Sequence, residues 1–286
     1  MHLLVFGLGF CGRAAARCAC EAGMNVTATR RNAASAGLDC VQMVSFDEAG
    51  PAIASATHLL VTAPPREDGD PVLARYGAAI RTAPHLTWIG YLSTTGVYGD
   101  RGGGWVEETT TPAPSAARSV RRLQAELAWR DAAAGRPLDL FRLAGIYGPG
   151  RSALDEVRSL RARRVIRPGH AFGRIHVDDI AAGIMAAIAS PSAGTRVLNF
   201  SDDVPAESAL VIEEAARLLG VAPPPAVPFD AAYAGMSEMA RSFWAENRRV
   251  GNARTKAALG LTWRYPSYKE GLRAVLESEG FTPSPT

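Results

Sequence analysis

The first thirty residues constrain the fold of this chain more than any other segment. An apolar run at 3–6 leads into three spaced glycines, an Ala-rich helical stretch follows them, and a second strand pattern comes at 24–30. Gly7 permits a tight strand-to-helix turn, Gly9 allows a pyrophosphate to approach the backbone, and Gly12 allows close helix packing. The sequence therefore predicts a dinucleotide-binding turn. Its expected cofactor-binding residues are Gly7, Gly9, Phe10, Cys11 and Gly12.

The end of the second strand bears on the choice of cofactor. NAD-binding proteins usually carry Asp or Glu at this point, where it binds the ribose hydroxyls. This chain has Arg30 and Arg31 instead. A carboxylate would repel a 2′-phosphate, whereas guanidinium groups bind it bidentately, so we expect NADP. In the alternative interpretation, both arginines are solvated at the end of the strand and the cofactor is NAD.

Composition excludes several classes of function. With 286 residues, 47% of them hydrophobic, and a net charge of only +3, the chain has no concentrated basic stripe for nucleic acid. No run of 18 apolar residues predicts a membrane span, and no signal-peptide pattern is present. The cysteines have no spacing typical of a metal site or a disulfide framework, so we expect no metal, reduced thiols and a cytoplasmic protein. They are Cys11, Cys18, Cys20 and Cys40.

Strand and helix patterns alternate along the chain, which predicts an α/β fold with a Rossmann-type doubly wound parallel sheet and a smaller C-terminal substrate lobe. We assign 1–147 and 173–202 to the NAD(P)-binding domain, and 148–172 and 203–286 to the smaller lobe. The predicted strands are 2–6, 24–30, 40–44, 57–63, 86–92, 138–144 and 196–199. The predicted helices include 11–22, 71–82, 116–134, 177–189 and 204–220.

Four motifs follow one another in the later loops. The segment 92–99 is rich in Ser and Thr and ends in Val-Tyr-Gly, and Glu107, Glu108 and Pro112 come next. The segment 142–150 reads Arg-x-x-x-x-Tyr-Gly-Pro, and 174–181 contains His-Val-x-Asp. Together these motifs resemble the extended short-chain dehydrogenase/reductase family, which includes nucleotide-sugar epimerases and dehydratases. The resemblance covers most of the chain and implies an NAD(P)-binding protein that acts on a small-molecule carbonyl or sugar-type substrate.

The chain departs from this family where catalysis is concerned. Family members that transfer hydride carry Tyr-x-x-x-Lys on the helix after Val-Tyr-Gly, and the corresponding residues here are Arg118 and Arg122. Arginine stays protonated, so Arg118 cannot act as a general acid. The family's catalytic serine falls near Thr94. The resemblance therefore implies an atypical branch, with Thr94, Tyr98, Arg118 and Arg122 as catalytic candidates.

The resemblance also implies cofactor contacts outside the glycine turn. Asp47 is similar to an acidic residue near the adenine, although it could equally be a helix N-cap. The remaining expected contacts follow the fourth and fifth strands and are Ala63, Pro64 and Ser93.

Two hypotheses from different classes stay open. Arg118 and Arg122 favour a degenerate NADP-binding sensor or scaffold, whereas the Gly- and Arg-rich entrance at 100–105 favours an NADP-dependent oxidoreductase or epimerase-like enzyme. The resemblance implies that helices 71–82 and 116–134 pair across a two-fold axis, with Val120, Leu123 and Leu127 in an apolar stripe. The same stripe could instead pack on the sheet of its own chain.

Four further residues are expected in structural roles. His176 precedes helix 177–189 and should orient backbone there, and Asp178 and Asp179 fit the first turn of that helix. His58 lies inside an apolar strand and should be a core residue.

Overall fold

The computed structural model describes residues 1–30 and 37–281. The strands are β1 (His2–Phe6), β2 (Asn25–Arg30), β3 (Val41–Ser45), β4 (His58–Val61), β5 (Trp88–Thr94), β6 (Trp105–Val106), β7 (Leu138–Leu143), β8 (Gly145–Tyr147), β9 (Arg164–Ile166), β10 (Ala171–Phe172), β11 (Arg174–His176), β12 (Thr195–Phe200), β13 (Ala206–Glu207), β14 (Ala226–Pro228) and β15 (Arg249–Val250). The helices are α1 (Phe10–Glu21), α2 (Gly50–Ser55), α3 (Pro71–Arg81), α4 (Ala117–Ala133), α5 (Ala153–Arg158), α6 (Val177–Ala189), α7 (Ser208–Leu218), α8 (Phe229–Tyr233), α9 (Glu238–Trp244), α10 (Ala253–Leu259) and α11 (Tyr268–Ser278).

Seven strands form one parallel sheet in the order β12-β7-β5-β4-β1-β2-β3. The chain moves outward from β1 to β3 and then returns to the other side of β1 with β4. The strand order therefore reverses between β1 and β4, and ligands of such sheets bind beyond the carboxyl ends at this point. This topology confirms the predicted Rossmann-type doubly wound sheet.

Helices cover both faces of the sheet, which explains why its inner strands are apolar at successive positions. Leu3 and Val5 pack in the same core as residues of α1 and α6, whereas Leu4 and Phe6 pack with residues of α2, α3 and α4. This alternation follows from the two-residue period of a strand. Polar contacts also join α3 and α4 of the second layer: Trp129 of α4 donates to Asp70, the N-cap of α3, at 3.0 Å, and Arg81 of α3 donates to the Asp131 carbonyl of α4 at 2.9 Å.

A separate apolar core forms next to the carboxyl ends of the strands. It combines side chains of α5, α7 and α11, among them Leu154, Ile212 and Leu272. Leu259 and Trp263, which the sequence analysis assigned to the smaller lobe, pack instead with the core of the sheet. The division into two domains stays a prediction.

Two sequence-based expectations need correction. Helix 204–220 is shorter than expected, because Ala206 and Glu207 first pair as β13 with β10 and α7 begins only at Ser208. The expectation of reduced thiols is wrong for Cys20 and Cys40, which form a disulfide with Cα atoms 6.2 Å apart. Their spacing did not reveal this pairing, because it depends on the end of α1 lying beside the residue that precedes β3.

Cys11 and Cys18 are free. Cytosolic reductants keep most thiols reduced, so the Cys20–Cys40 disulfide does not support the cytoplasmic location expected from the sequence. That location stays a prediction. Within the two described ranges, no helix is both long and apolar enough to cross a membrane.

Candidate cofactor and substrate site

The predicted glycine turn lies between β1 and α1, at the point where the strand order reverses. Gly7 adopts φ +100°, a conformation that favours glycine. A Cβ on Gly12 would lie 2.2 Å from the Gly7 carbonyl oxygen, so this glycine is required by helix packing. The Thr62 hydroxyl donates to the same oxygen at 2.5 Å and holds the turn against the end of β4.

Gly9 has different surroundings from the other two glycines. It is the N-cap of α1, with extended backbone and no capping side chain, and a Cβ placed on it would meet no atom within 4 Å. The first turn of α1, which contains Phe10 and Cys11, carries no acidic residue. The backbone at Gly9 and the positive end of the helix dipole therefore face open space, as binding of a pyrophosphate requires.

Arg30 ends β2 on the same side of the sheet as the glycine turn. Its Nη1 atom is buried and has no hydrogen-bond partner in the described part of the chain. Arg31, the second arginine expected to bind a 2′-phosphate, lies outside the described residues. Asp47 is exposed in a short 3-10 helix, Phe46–Glu48, whose N-cap is Ser45, so the N-cap interpretation of Asp47 is wrong.

The loop after β4 lies beside the glycine turn. The backbone N–H groups of Thr62 and Ala63 both donate to the Phe6 carbonyl, at 2.9 and 3.1 Å. The hydrogen bond to Phe6 keeps the half-buried Ala63 beside the turn, and Pro64, the next residue, is exposed. Their cofactor-binding role stays a prediction.

A cleft of about 540 Å³ opens beyond the ends of β5 and β7. The start of α4 and the region of α9 form its other walls. The cleft brings together three of the four catalytic candidates, Thr94, Arg118 and Arg122, together with Ser93.

Thr94 and Ser93 use their hydroxyl groups differently. Thr94 Oγ1 accepts a hydrogen bond from the Gly96 N–H at 3.1 Å, which leaves the hydroxyl proton free to be donated into the cleft. Ser93 is buried, and its hydroxyl donates to Glu126 at 2.5 Å. The side chain of Ser93 is therefore engaged inside the fold.

Arg122 and Arg118 lie one helical turn apart but have different partners. Arg122 donates to the Leu92 carbonyl at 2.8 Å and to the Tyr91 hydroxyl at 3.1 Å. Arg118 stacks its guanidinium 3.8 Å from the ring centre of Phe243, and burial is the main cause that lowers its pKa. Arg122 is therefore held by β5, whereas Arg118, on the same helix, contacts Phe243 of α9.

Tyr98, the fourth catalytic candidate, lies in the core and not in the cleft. Its side chain is fully buried and its hydroxyl donates to Asn199 at 2.7 Å. Burial also raises its pKa, so the phenol is poorly suited to give up a proton. Tyr98 was a candidate because the Val-Tyr-Gly segment follows the fifth strand at the carboxyl edge of the sheet. The 3-10 helix Thr95–Tyr98 turns its side chain into the core instead.

The residues expected in structural roles have those roles. His176 is the N-cap of α6 and accepts from the Asp178 N–H at 3.2 Å, and Asp178 lies in the first turn. His58 is buried in β4 beside Trp88.

Several residues of the cleft were missed from the sequence. Most of them come from the smaller lobe, whereas Ser119 lies on α4 and Arg174 begins β11. Of these residues, Arg151 directly follows the 142–150 motif and Arg174 is the first residue of the 174–181 motif. Arg151 Cζ lies 5.6 Å from the ring centre of Phe10, so it connects the cleft to the glycine turn. The missed residues are Ser119, Arg151, Phe172, Arg174, Phe243, Trp244, Glu246 and Arg248.

The chain was compared with known proteins. No family model matches it. The protein YeeZ of Escherichia coli strain K12 is 27% identical over 238 residues, which cover 77% of this chain and 84% of YeeZ. A 3-diazoavenalumate denitrifying reductase from a Streptomyces species is 30% identical over 167 residues, 56% of this chain and 54% of that protein.

Among solved structures, a functionally unknown conserved protein from Silicibacter pomeroyi DSS is 42% identical, with a TM-score of 0.89 over 98% of this chain and 99% of that one. MoeE5 in complex with UDP-glucuronic acid and NAD has a TM-score of 0.80 at 19% identity, covering 98% and 99% of the two chains. The human epimerase family protein SDR39U1 with NADPH has a TM-score of 0.75 at 17% identity, covering 97% and 99%. The last two likenesses establish a shared fold.

Proposed function

We propose that the chain is an NADP-dependent enzyme. Its reaction is an oxidoreduction, or an epimerisation that passes through one, on a small carbonyl or sugar-type substrate. The chain belongs to the same family as the functionally unknown protein of Silicibacter pomeroyi. It shares its fold with MoeE5, which was solved with NAD, and with a human epimerase family protein, which was solved with NADPH. The open backbone at Gly9 is the observation that carries the proposal.

The residues present fit a nicotinamide dinucleotide. The Gly9 backbone and the first turn of α1 would hold the pyrophosphate, and the unpartnered guanidinium nitrogen of Arg30 would bind the 2′-phosphate. Arg31 is proposed as a second 2′-phosphate ligand. Asp47, Ala63 and Pro64 would line the adenosine half.

The cleft would hold the reacting end of the substrate. A bound nicotinamide supplies or accepts the hydride. Thr94 can donate its free hydroxyl proton in a hydrogen bond to a substrate oxygen, and Arg122, fixed by Leu92 and Tyr91, adds positive charge near it. Such donors stabilise negative charge that develops on oxygen during hydride transfer.

A second function is favoured by one specific observation. Among the described residues that line the cleft, Glu246 is the only carboxylate, and it is paired with Arg248 at 2.7 Å. No group in this lining replaces the tyrosine that moves the proton in related enzymes. A sensor or scaffold that binds NADP without turnover would need no such group.

Cofactor titration tests the first step of the proposal. We expect NADPH to bind more tightly than NADH, and the double variant Arg30→Ala with Arg31→Ala to remove the difference, because each charge-assisted phosphate contact contributes about 1.5–3 kcal/mol. The exposed Arg130 on α4 provides a control, Arg130→Ala. Equal affinity of the wild type for both cofactors would contradict the assignment to NADP.

Turnover separates the enzyme from the sensor. NADPH oxidation is measured with a panel of aldehydes, ketones and nucleotide sugars, for the wild type and for Thr94→Ala. A fall of about tenfold or more in Thr94→Ala, with cofactor affinity unchanged, would support the enzyme. Tight NADPH binding with no turnover on any panel member would favour the sensor.

A further inference from the structure

Resting on the proposed use of the cleft for substrate, we propose that the substrate is a planar oxyanion, an aromatic or conjugated group that carries a carboxylate or phosphate. Arg118 binds its charged group, and the ring lies against the aromatic side chains of α9 and β10. This assignment gives Arg118 a binding role in place of the proton transfer that it cannot perform.

The charge of the cleft supports an anionic ligand. Five arginines line it, against a single carboxylate among the described lining residues, and Arg248 already neutralises that carboxylate. Arg122 and Arg174 each donate from one guanidinium nitrogen to backbone carbonyl groups, which carry no formal charge, and Asp202 and Glu156, which lie outside the lining, offset part of the charge of Arg174 when they are ionised. A cleft with a surplus of positive charge concentrates anions and repels cations.

Arg118 is the arginine of the cleft that we assign to the anionic group. Its guanidinium makes no hydrogen bond to any described residue, although it is half-buried and rests on the face of Phe243. Burial and the nearby Arg248 both disfavour its charge, while Glu246, the opposing carboxylate, is committed to Arg248 and Ser115. A ligand oxyanion could accept two parallel hydrogen bonds from the planar guanidinium.

The wall beside Arg118 favours a flat group. Phe172 and Trp244 meet edge to face, with ring centres 5.1 Å apart and planes at 90°. Phe243, which carries Arg118 on one side, is 53% exposed. Aromatic rings stack at centroid distances of about 4.5–7 Å, so a planar ligand can contact this wall while its charged end meets Arg118.

Calorimetric titration of the full chain without cofactor tests the proposal. The probes are benzoate, phenyl phosphate and the uncharged benzamide. Both anions should bind more tightly than benzamide, and whichever anion binds more tightly identifies the carboxylate or the phosphate as the preferred group. Arg118→Gln should weaken binding of the preferred anion about ten- to hundredfold, and Arg118→Lys should weaken it less.

Arg130→Gln is the matched control, because Arg130 lies exposed near the other end of the same helix. It should leave anion affinity unchanged, and the melting temperature of each variant checks that it is folded. Benzamide binding as tightly as the anions, or a loss below twofold in a folded Arg118→Gln protein, would overturn the proposal. NADPH affinity is measured on the same samples, so a failure of cofactor binding contradicts the proposed function separately from the anion result.

Discussion

Gly9 and Gly12 lie three residues apart in the fingerprint but should respond oppositely to substitution. A side chain on Gly9 points into open space, whereas one on Gly12 would strike the Gly7 carbonyl. We expect Gly9→Val to fold normally and lose NADPH binding. Gly12→Ala should lower the free energy of unfolding, by about 1–3 kcal/mol as overpacking usually does.

The two variants are compared by urea unfolding and by NADPH titration. Near-native cofactor affinity in Gly9→Val would show that the turn has a structural role only. A Gly12→Ala protein as stable as the wild type would contradict the packing argument.

Asp202 predicts a pH dependence of stability. Its carboxyl is buried, Oδ2 has no hydrogen-bond partner among the described residues, and burial raises the pKa to about 8 despite the nearby Arg174. Between roughly pH 4 and pH 8 the folded protein keeps a proton that the unfolded chain has lost. The free energy of unfolding should therefore fall as pH rises, by about 1.4 kcal/mol per pH unit for this one proton.

Asp202→Asn should remove this decline, so that the variant gains stability over the wild type between pH 5 and pH 8. Urea unfolding at several pH values measures the difference between the two proteins. Burial lowers the pKa of His170 and of His176, which has the opposite effect on stability, but both histidines are present in both proteins. Parallel pH curves would show that Asp202 is not protonated when folded.

The sequence predicted those site residues whose roles are set by neighbouring backbone. Gly7 is required by its positive φ, and Gly12 is required by its close approach to the Gly7 carbonyl. Both requirements arise within the turn itself. Arg248 and Trp244 reach the cleft from a segment far along the chain with no motif of its own. Their contribution depends on tertiary packing, which no local spacing encodes.

Among the elements, α4 shows where the helical pattern misleads. None of the stripe residues Val120, Leu123 and Leu127 belongs to the two apolar cores of the sheet, and Leu127 is 51% exposed. The face of α4 that packs on the sheet includes Glu126 and Trp129, both fully buried. Glu126 can be buried because it has hydrogen-bond partners in the sheet. A search for apolar periodicity misses this face of α4, since the face contains a charged residue.

Glu126 ties α4 to the sheet through charge. It accepts from Arg142 of β7 at 3.1 and 2.8 Å and from Ser93 of β5 at 2.5 Å. Glu126→Ala would leave the Arg142 guanidinium buried and unpaired, so we expect it to lower the free energy of unfolding by about 3–5 kcal/mol. Urea unfolding measures the loss.

Asp131→Ala on the exposed face of the same helix is the control, and Glu126→Gln should cost less than Glu126→Ala because it keeps a hydrogen-bond acceptor. If Glu126→Ala proves no more destabilising than Asp131→Ala, the buried pair does not hold α4 to the sheet.

The exposed stripe of α4 bears on how copies of the chain assemble. Leu127 and Ala128 are exposed beside α3, which presents Ala74 and Ala78 on its outer side. We expect two copies of the chain to pair through these helices, and Leu127→Arg to disrupt the pair by placing a charge in the apolar contact. Light scattering at micromolar concentration distinguishes the two states, and a monomeric wild type would contradict this prediction.

The segment 253–265, which precedes α11, is joined directly to α6 and to the sheet. Asp179 of α6 accepts from the backbone N–H groups of Arg264 and Tyr265, at 2.7 and 3.1 Å, and Trp263 packs against Phe200 of β12. Replacing the smaller lobe with that of a relative would therefore break these contacts with α6 and the sheet. A chimera meant to change substrate preference should exchange the cleft loops and keep 253–265 from the same parent as the sheet.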